Sequence, residues 1–381
     1  MKIVSIEPTP SPHSMKINVT EELASSETYN YAKKDGTEHA PEYVQKLFNI
    51  QGITNIYRVA DFFTIARHPR TPWEEILKQV RDAIGVDDSF TEITSESSSY
   101  TEDHAFGEIQ VFVQMFRGIP MQVKVEDGAE DEKRFGLPER FINANMEAAP
   151  ASPNIIMERK WVEQDVRYGD LDTVGNEVVE ELSAVYDEER LESLVKQAFS
   201  SKEPETPYET QTIPIEVLDD PDWRVRYAAL DRLDPTFAHI ELLDKALDDE
   251  RSSIRRLAAM YLGYIEEPEV LPYIYKALRD PAANVRRTAG DCLSDLGYKE
   301  AIPEMIKSLK DDNRIVRWRA AMFLYELGDE SAIPALEEAV NDPEFEVSMQ
   351  VKMALKRIQE GQEAKGSIWQ QMSEAFEQKD Q

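Results

Sequence analysis

The chain has 381 residues, which is enough for two or three domains with sizeable cores. It carries 74 acidic and 43 basic side chains, and its formal net charge is −31. Nucleic acids and anionic membranes bind proteins mainly through Lys and Arg, so this charge argues against both as partners. The single cysteine, Cys292, excludes an internal disulfide framework and a cysteine-rich metal site. The acidity serves either solubility or an acidic docking surface.

Domain organisation follows from the polar and proline-rich stretches. Prolines interrupt MKIVSIEPTPSP before an apolar run can form, so we expect neither a signal peptide nor a membrane span, and a location in the reducing cytoplasm. Two polar stretches, residues 87–103 and 200–211, are predicted linkers. We therefore predict a multidomain chain with an α+β N-terminal domain (1–88), an acidic α+β middle domain (104–199), a C-terminal α-solenoid of about five short repeats (212–358) and a capping helix (359–381).

The first domain mixes strand and helix signals. KIVSIEPTPSPHSMKINV alternates like a strand, is broken by prolines and resumes, and NIYRVADFFTIAR is a second β-rich run. YVQKLFNIQGI predicts a helix that ends at Gly52. TPWEEILKQVRDAIG predicts another, with Pro72 near its start and Gly85 after its end.

Four segments of this domain match a known pattern. EPTPSPHSMKI, LFNIQGITNIY, DFFTIAR and Trp73 follow T-P-x-P-x-S-x-K, L-F-x-I-x-G and D-F-x-T in order and spacing. Residues 1–86 therefore resemble the N-terminal domain of Nfu-type iron–sulfur scaffold proteins. Those proteins carry the cluster on a C-x-x-C pair in a separate C-terminal domain, and this chain has no such pair. The resemblance implies contact with iron–sulfur machinery without a cluster of its own, because cluster ligation needs thiolates and only Cys292 is available.

The middle domain begins with a predicted hairpin. Apolar residues alternate in EIQVFVQMF and in IPMQVKV, on either side of a turn at Arg117 and Gly118. DTVGNEVVEELSAVY and ERLESLVKQAF carry apolar residues at helical spacing. No catalytic motif is visible in this domain.

The last third is an internal repeat. The apolar residues Val225, Ile254, Val285, Val316 and Val347 recur at spacings of 29, 31, 31 and 31. Three prolines recur in one phase, where each suits the first turn of a helix: Pro272, Pro303 and Pro334. Each unit is predicted to be a helical hairpin, and hairpins this short must stack to share a core.

Two polar positions also repeat, and both are predicted to be structural. Asp220, Asp249, Asp280, Asp311 and Asp342 stand where a helix N terminus needs a capping oxygen. The arginine after the apolar position is predicted to reach the Asp of a neighbouring unit or a carbonyl, and it is present at Arg226, Arg255, Arg286 and Arg317.

The turn D-P-x-x-x-V-R-x-x-A resembles the short HEAT repeats of phycobilin lyases and many bacterial adaptor proteins, over about 160 residues. An Nfu-like head, an acidic middle and HEAT-like repeats in this order resemble the conserved virulence factor C family of Bacillota. This resemblance implies a cytoplasmic protein linked to virulence-factor production, and it implies no defined reaction.

The repeated apolar residue lies on the second helix of each hairpin and points towards the shared core. Positions two and six residues after it lie on the opposite side of that helix. Met, aromatic and Arg side chains are frequent there, which predicts either a partner-binding groove or burial under neighbouring elements. We call the eight predicted partner-binding residues the second-helix row: Tyr227, Arg256, Met260, Arg287, Trp318, Met322, Met349 and Met353.

Other candidate groups are predicted to be structural. Cys292 falls at an inward phase of its repeat, so it is expected in the solenoid core. The five histidines lie far apart, which argues against a metal site, and His13 is predicted to be a turn residue. The tail places an apolar stripe on one helical face, which predicts capping of the last repeat over docking to another protein, at Ile368, Trp369, Met372 and Phe376.

The sequence thus predicts a non-enzymatic cytoplasmic adaptor without cofactor or metal, which binds protein partners through the Nfu-like head and the second-helix row. Two alternatives stay open. One is an iron–sulfur accessory protein without its own cluster ligands. The other is a tetrapyrrole- or bilin-lyase-like enzyme, whose carboxylates would be Asp231 and Asp291.

Overall fold

The computed structural model describes the chain except residues 10, 12, 24–26, 37–38, 69–70, 88–107, 128–131, 201–212 and 362–381. Nearly all of the two predicted linkers and most of the predicted capping helix, including its apolar stripe, lie outside the described residues. The chain forms two compact units. Unit 1 comprises residues 1–106 and 299–381, and unit 2 comprises residues 107–298.

The described strands are β1 (Ile3–Pro8), β2 (Ser14–Val19), β3 (Thr28–Ala32), β4 (Ile53–Val59), β5 (Phe62–Arg67), β6 (Glu108–Phe116), β7 (Ile119–Glu126), β8 (Glu132–Gly136) and β9 (Lys160–Tyr168). The described α-helices are α1 (Glu42–Phe48), α2 (Trp73–Ile84), α3 (Glu139–Ala148), α4 (Ile155–Glu158), α5 (Leu171–Val185), α6 (Glu188–Ala198), α7 (Trp223–Asp231), α8 (Ile240–Ala246), α9 (Ser252–Gly263), α10 (Leu271–Ala277), α11 (Ala283–Leu296), α12 (Ile302–Ser308), α13 (Arg314–Leu327), α14 (Ile333–Ala339) and α15 (Phe345–Gln359).

The N-terminal part of unit 1 is an antiparallel sheet in the order β1-β2-β5-β4-β3 with two helices. Buried and half-buried side chains alternate along β2 and β5, as expected for strands with one face against a core. Helix α2 buries the face formed by Trp73, Ile76, Leu77 and Val80, whose spacing is helical. The predicted α+β fold of this region is confirmed.

Unit 2 contains the second sheet, in the order β8-β7-β6-β9. The predicted hairpin is β6 and β7, joined by Arg117 and Gly118, whose φ angles are 47° and 82°. Two consecutive left-handed residues make the tight turn that suits the twist of a hairpin. Apolar side chains of α3, α5 and α6 cover one face of this sheet, so the middle region is α+β as predicted.

Helix α5 approaches β8 closely at a glycine. A Cβ atom at Gly175 would lie 2.1 Å from Cε2 of Phe135. A side chain at this position would force the Phe135 ring to move, so glycine allows the ring to pack directly on the helix despite its weak helix propensity.

The repeat region consists of short helical pairs, as predicted. The first helices α8, α10, α12 and α14 have seven residues each. Pro272, Pro303 and Pro334 lie in the first turns of α10, α12 and α14, where the missing N–H leaves no helical hydrogen bond unmade.

The repeated aspartates differ from the prediction in position. Asp249 Oδ1 accepts a hydrogen bond of 2.8 Å from the backbone N–H of Arg251. Arg251 is the N-cap residue, directly before α9. Each aspartate therefore closes a turn in front of the helix instead of occupying the cap position. The same contact to the residue two positions later is made by Asp220, Asp280, Asp311 and Asp342.

The repeated arginines join successive repeats, as predicted. Arg226 donates to both carboxylate oxygens of Asp249, at 2.7 and 3.0 Å. Its third nitrogen donates to the carbonyl of Asp220 at 2.7 Å. Arg255 with Asp280 in unit 2, and Arg317 with Asp342 in unit 1, make the same two-pronged contact. These pairs fix the stacking of repeats, so their charges are already used within the chain.

Among the described helices, none combines the length and apolarity that crossing a bilayer requires.

Candidate functional site

The second-helix row lies mostly inside the protein. Seven of its eight side chains are buried, and Met260 is half-buried. Burial under neighbouring elements is one of the two outcomes that the sequence left open. Partner binding by the row stays a prediction, and it requires the residues that cover the row to move away.

In unit 1 the last repeat completes the core of the N-terminal domain. Met349 and Met353 of α15 belong, together with Phe345, to the same apolar cluster as Trp73 and the buried side chains of β2 and β5. The half-buried Tyr325 packs against this cluster. The apolar face of α15 is therefore covered by the N-terminal domain of the same chain.

A buried ion pair lies at this contact. Arg67 Nη2 is 2.5 Å from Glu346 Oε1, and the two side chains are 1% and 7% exposed. Arg67 also donates to the carbonyl of Thr71 at 2.8 Å, and its guanidinium lies 5.0 Å from the centre of the Trp73 ring. Two charges buried to this extent have lost most of their hydration, so removing either one would leave the other as an unpaired charge and would destabilise the fold.

His13 sits beside this pair in a neutral state. Burial, with the positive charge of Arg67 adding to it, lowers the pKa of His13 to about 3. Both ring nitrogens are buried without a hydrogen-bond partner in the described structure. The backbone carbonyl of His13 accepts from the N–H of Arg67 at 2.9 Å, so the turn around His13 is tied to β5. A turn role, as predicted, is consistent with these contacts.

In unit 2 a buried carboxylate joins the middle domain to the first repeats. Glu181 of α5 receives two hydrogen bonds from Arg167 of β9, at 3.0 and 2.7 Å. The hydroxyl of Tyr227 donates to the same carboxylate. Arg256 of α9 lies 3.8 Å away, and all four side chains are largely buried. We call Arg167, Glu181, Tyr227 and Arg256 the Glu181 network.

The network contains two arginines and one carboxylate. Burial raises the pKa of Glu181, but Arg167 and Arg256 outweigh it, so its pKa lies below the ordinary value. Burial lowers the pKa of Arg256, and its Nε is buried without a hydrogen-bond partner in the described structure. Glu181 is thus the carboxylate within ion-pair distance of both arginines. Tyr227 and Arg256, two members of the second-helix row, have their polar groups in this network.

Further contacts surround the network. The guanidinium of Arg287, also in the second-helix row, lies 4.6 Å from the centre of the Tyr168 ring at the end of β9. Arg251 pairs with Glu180 at 2.8 Å. The second helices of unit 2 therefore hold β9 and α5 of the middle domain by both aromatic and ionic contacts.

An open cleft of about 900 Å³ lies beside this contact in unit 2. One wall is formed by α3 and α5 of the middle domain, and the other by α7 and the residues before it. The small or apolar residues that line the cleft are Val179, Ala184, Val217, Val225, Ala228 and Ala229. A cleft with short side chains on its floor leaves room for larger side chains of a partner.

Charges of both signs border the cleft. Arg140 is fixed by the carbonyls of Ser183 and Tyr186 at 2.6 and 3.3 Å. Arg232 lies 3.8 Å from Asp187, and both are well exposed. Exposed pairs of this kind contribute little stability, so they exchange readily for contacts with a partner. The mixed rim suits a protein surface better than a small anion.

Other sequence candidates are buried or lie beside charged groups of the same chain. Cys292 is buried as predicted, and its thiol lies 3.4 Å from the carbonyl of Ala259. Asp231 on α7 lies 3.9 Å from Arg190, whereas Asp291 on α11 is paired with Arg287. In the described part of the chain, no group of three or more His, Cys, Asp or Glu is arranged to hold a metal ion. His104 lies outside the described residues.

Sequence reasoning missed Glu181, although a signal for it exists. Val174, Val178, Glu181 and Val185 follow one face of α5, so a glutamate stands at an inward position among valines. A carboxylate at such a position requires a buried cation. The sequence does not indicate which arginine supplies it, because Arg167 and Arg256 belong to distant segments.

Three family models match the chain. Residues 4–88 match "Scaffold protein Nfu/NifU N terminal", residues 114–195 match "Virulence factor", and residues 212–283, 239–317 and 274–356 match "HEAT repeats". These matches bear out the resemblances to Nfu-type N-terminal domains and to HEAT repeats.

Parts of the chain are also similar to solved structures. The protein SAV1430 from Staphylococcus aureus is 29% identical over 22% of this chain and 98% of its own, with a TM-score of 0.20. The CpcE–CpcF complex of phycocyanin lyase from Nostoc sp. PCC7120 is 30% identical over 27% of this chain and 42% of its own, with a TM-score of 0.25.

Relatives match along the whole chain. YpgR of Bacillus subtilis is 55% identical over 378 residues, which are 98% of this chain and 99% of the relative. Conserved virulence factor C of Staphylococcus haemolyticus is 46% identical and that of Staphylococcus aureus strain USA300 is 47% identical, each over the same shares of the two chains. The order of an Nfu-like head, a middle domain and HEAT repeats agrees with these matches, and the chain belongs to the conserved virulence factor C family.

Proposed function

We propose that the chain is a non-enzymatic cytoplasmic adaptor that binds a protein partner in the cleft of unit 2. The observation that carries this proposal is the cleft itself, whose walls come from the middle domain and from the first repeat. Repeat proteins usually act by binding, and a cleft between two packed elements is a common place for it.

The contacts of the second-helix row within the chain also support this proposal, because they assign the row a role in holding the domains and leave partner binding to other surfaces. In unit 2 the Glu181 network fixes α5 against α7 and α9, and α5 and α7 line opposite sides of the cleft. In unit 1 the contact between α15 and Trp73 holds the Nfu-like head. The repeats then act as a frame, and the outer surfaces of the domains that they hold are presented to partners.

Filling the cleft tests the proposal. Ala228 lines it on α7 and is half-buried, so an Ala228→Arg substitution places a long charged side chain in the space for a partner. We expect at least one protein that the wild type retains from its native cytoplasm to be depleted about tenfold or more, because blocking a central contact removes over ~1.4 kcal/mol of binding free energy. The measurement is quantitative mass spectrometry of the retained proteins.

The matched control is Ala238→Arg, which makes the same change at an exposed alanine outside the residues that line the cleft. Both variants should unfold at the denaturant concentration of the wild type. Retention of the same proteins by the wild type and by both variants would refute binding in the cleft.

An iron–sulfur accessory function is the second candidate, and the match of residues 4–88 to the Nfu/NifU N-terminal model favours it. The head would dock on cluster machinery while the chain itself carries no cluster, since its only thiol is buried. Protein isolated without air should then contain no stoichiometric iron and should retain iron–sulfur assembly proteins. Stoichiometric iron in the isolated protein would contradict this role. It would also contradict the prediction that the proposed adaptor has no cofactor.

A further inference from the structure

A cluster of large apolar side chains is exposed on the middle domain of unit 2. Five side chains, on two helices and directly after a third, are between 53% and 77% exposed. Single exposed apolar residues are ordinary, but several around one feature indicate an interaction surface. We call this surface the apolar patch; it consists of Ile142 and Met146 on α3, Ile156 and Met157 on α4, and Phe199 after α6.

Hydrogen bonds to the β6–β7 hairpin bring these three segments together. Asn145 of α3 donates to the carbonyl of Pro120 at 2.8 Å. Arg117 at the hairpin turn donates to Glu158 of α4 at 2.8 Å and also to the carbonyl of Ala198 at the end of α6. The three segments that bear the patch are therefore tied to one short hairpin, and the patch is built on a fixed frame.

The charges beside the patch differ in sign from the protein as a whole. Arg159 and Lys160 are exposed directly after α4, and no carboxylate in the described part of the chain pairs with either. Lys196 on α6 is exposed, and its nearest paired carboxylate, Glu192, is 3.8 Å away. The acids beside the patch are Glu147 on α3 and Glu192 on α6, which are exposed, and Glu158 on α4, which is paired with Arg117. The cations Arg159, Lys160 and Lys196 thus outnumber the exposed acids by one on a chain with net charge −31, and we call these three cations the basic rim.

The geometry points to a docking surface for an amphipathic helix of a protein partner, with acidic residues beside its apolar face. Ile142 and Met146 are one helical turn apart and form a row along α3. Ile156, Met157 and Phe199 belong to the other two segments that are tied to the same hairpin, and they supply the further apolar contacts for the bound helix. Methionine side chains adapt to varied partners, which favours this mode of recognition.

The basic rim selects the charge of the partner. Acidic side chains next to the apolar face of the bound helix would pair with Arg159, Lys160 and Lys196, which are otherwise unpaired or weakly paired. A helix with basic flanks would meet the same rim with like charges. This surface is separate from the residues that line the cleft, so the inference does not depend on binding in the cleft.

A peptide selection on the full chain tests the inference. The probe is a displayed library of peptides of about 18 residues, roughly five helical turns, with random sequences. We expect the selected peptides to share an apolar stripe at helical spacing flanked by Asp and Glu. Their affinity should fall about tenfold or more in the Met146→Ser/Met157→Ser variant and in the Arg159→Glu/Lys160→Glu variant.

The controls separate the patch from other surfaces. The Ala228→Arg variant blocks the cleft and should bind the same peptides with unchanged affinity. Selected peptides that bind every variant equally, or that carry basic flanks, would overturn the inference. So would Met146- and Met157-dependent cosedimentation of the wild type with phosphatidylglycerol vesicles, because the patch would then be a lipid-binding surface.

Discussion

Replacing Glu181 with glutamine is expected to lower the free energy of unfolding of unit 2 by about 3–5 kcal/mol. The change removes the carboxylate that pairs with Arg167 and Arg256, and in the described structure it leaves the two buried guanidinium groups with no carboxylate within ion-pair distance. Denaturant titration measures the loss. Hydrogen exchange resolved to peptides should place it in β9, α5, α7 and α9.

The neighbouring glutamate provides a matched control. Glu180 also pairs with an arginine, Arg251, but both of these side chains are well exposed. A Glu180→Gln substitution should therefore change the free energy of unfolding by less than about 1 kcal/mol. Equal losses in the free energy of unfolding for the two substitutions would show that burial does not determine how much the Glu181 ion pair stabilises the protein.

The pH dependence of stability should differ between the wild type and the Glu181→Gln variant. The pKa of Glu181 is below its ordinary value of 4.5, so its stabilising contribution is complete above pH 4.5 and is lost as the pH falls through the folded-state value. Burial raises the pKa values of Glu177 and Asp231, and the charge of Glu181 adds to both, so these two groups give an opposite slope that is smaller in the variant. The difference between the two proteins should therefore shrink on acidification.

Replacing Arg67 with methionine is expected to destabilise unit 1 by about 3–5 kcal/mol, because Glu346 would remain buried as an unpaired charge. Adding Glu346→Gln removes that charge, so the double variant should recover a large part of the loss. The contacts of Arg67 with Thr71 and Trp73 stay lost, which makes the recovery incomplete. Denaturant titration of the two single variants and the double variant measures the coupling.

A surface pair serves as the control for the Arg67 cycle. Lys46 and Glu42 are 2.8 Å apart on α1, and both are more than half exposed. Lys46→Met should therefore change the free energy of unfolding by about 0.5 kcal/mol or less. The explanation predicts that the double Arg67→Met/Glu346→Gln variant is more stable than Arg67→Met alone. If it is not, the loss does not come from the unpaired, buried charge of Glu346.

Local patterns in the sequence predicted most elements of this fold. The alternation of apolar and polar residues located the strands β1, β2 and β4–β7. The helical spacing of apolar residues located α1, α2, α5, α6 and the helices of the repeats. The edge strand β9 was not predicted, because most of its side chains are exposed and show no alternation of apolar and polar residues. Its place is set by pairing with β6, which is a contact between distant segments.

The candidate site was harder to predict for the same reason. The helical period identified which side chains of the repeats do not face the shared core, and Tyr227, Arg256 and Met349 are among them. It carries no information about what covers them. The covering groups, such as Glu181 for Arg256 and the core of the N-terminal domain for Met349, lie many residues away and meet them only in the folded chain.

The two-part composition of unit 1 sets an order for folding during synthesis. The head, residues 1–88, is synthesised before unit 2, but its core includes Phe345, Met349 and Met353 of α15, which are synthesised after unit 2. Unit 2 is continuous in sequence and has all of its residues available before those of α15 are made. The head is thus synthesised before unit 2, but it acquires its complete core only after unit 2 has been synthesised.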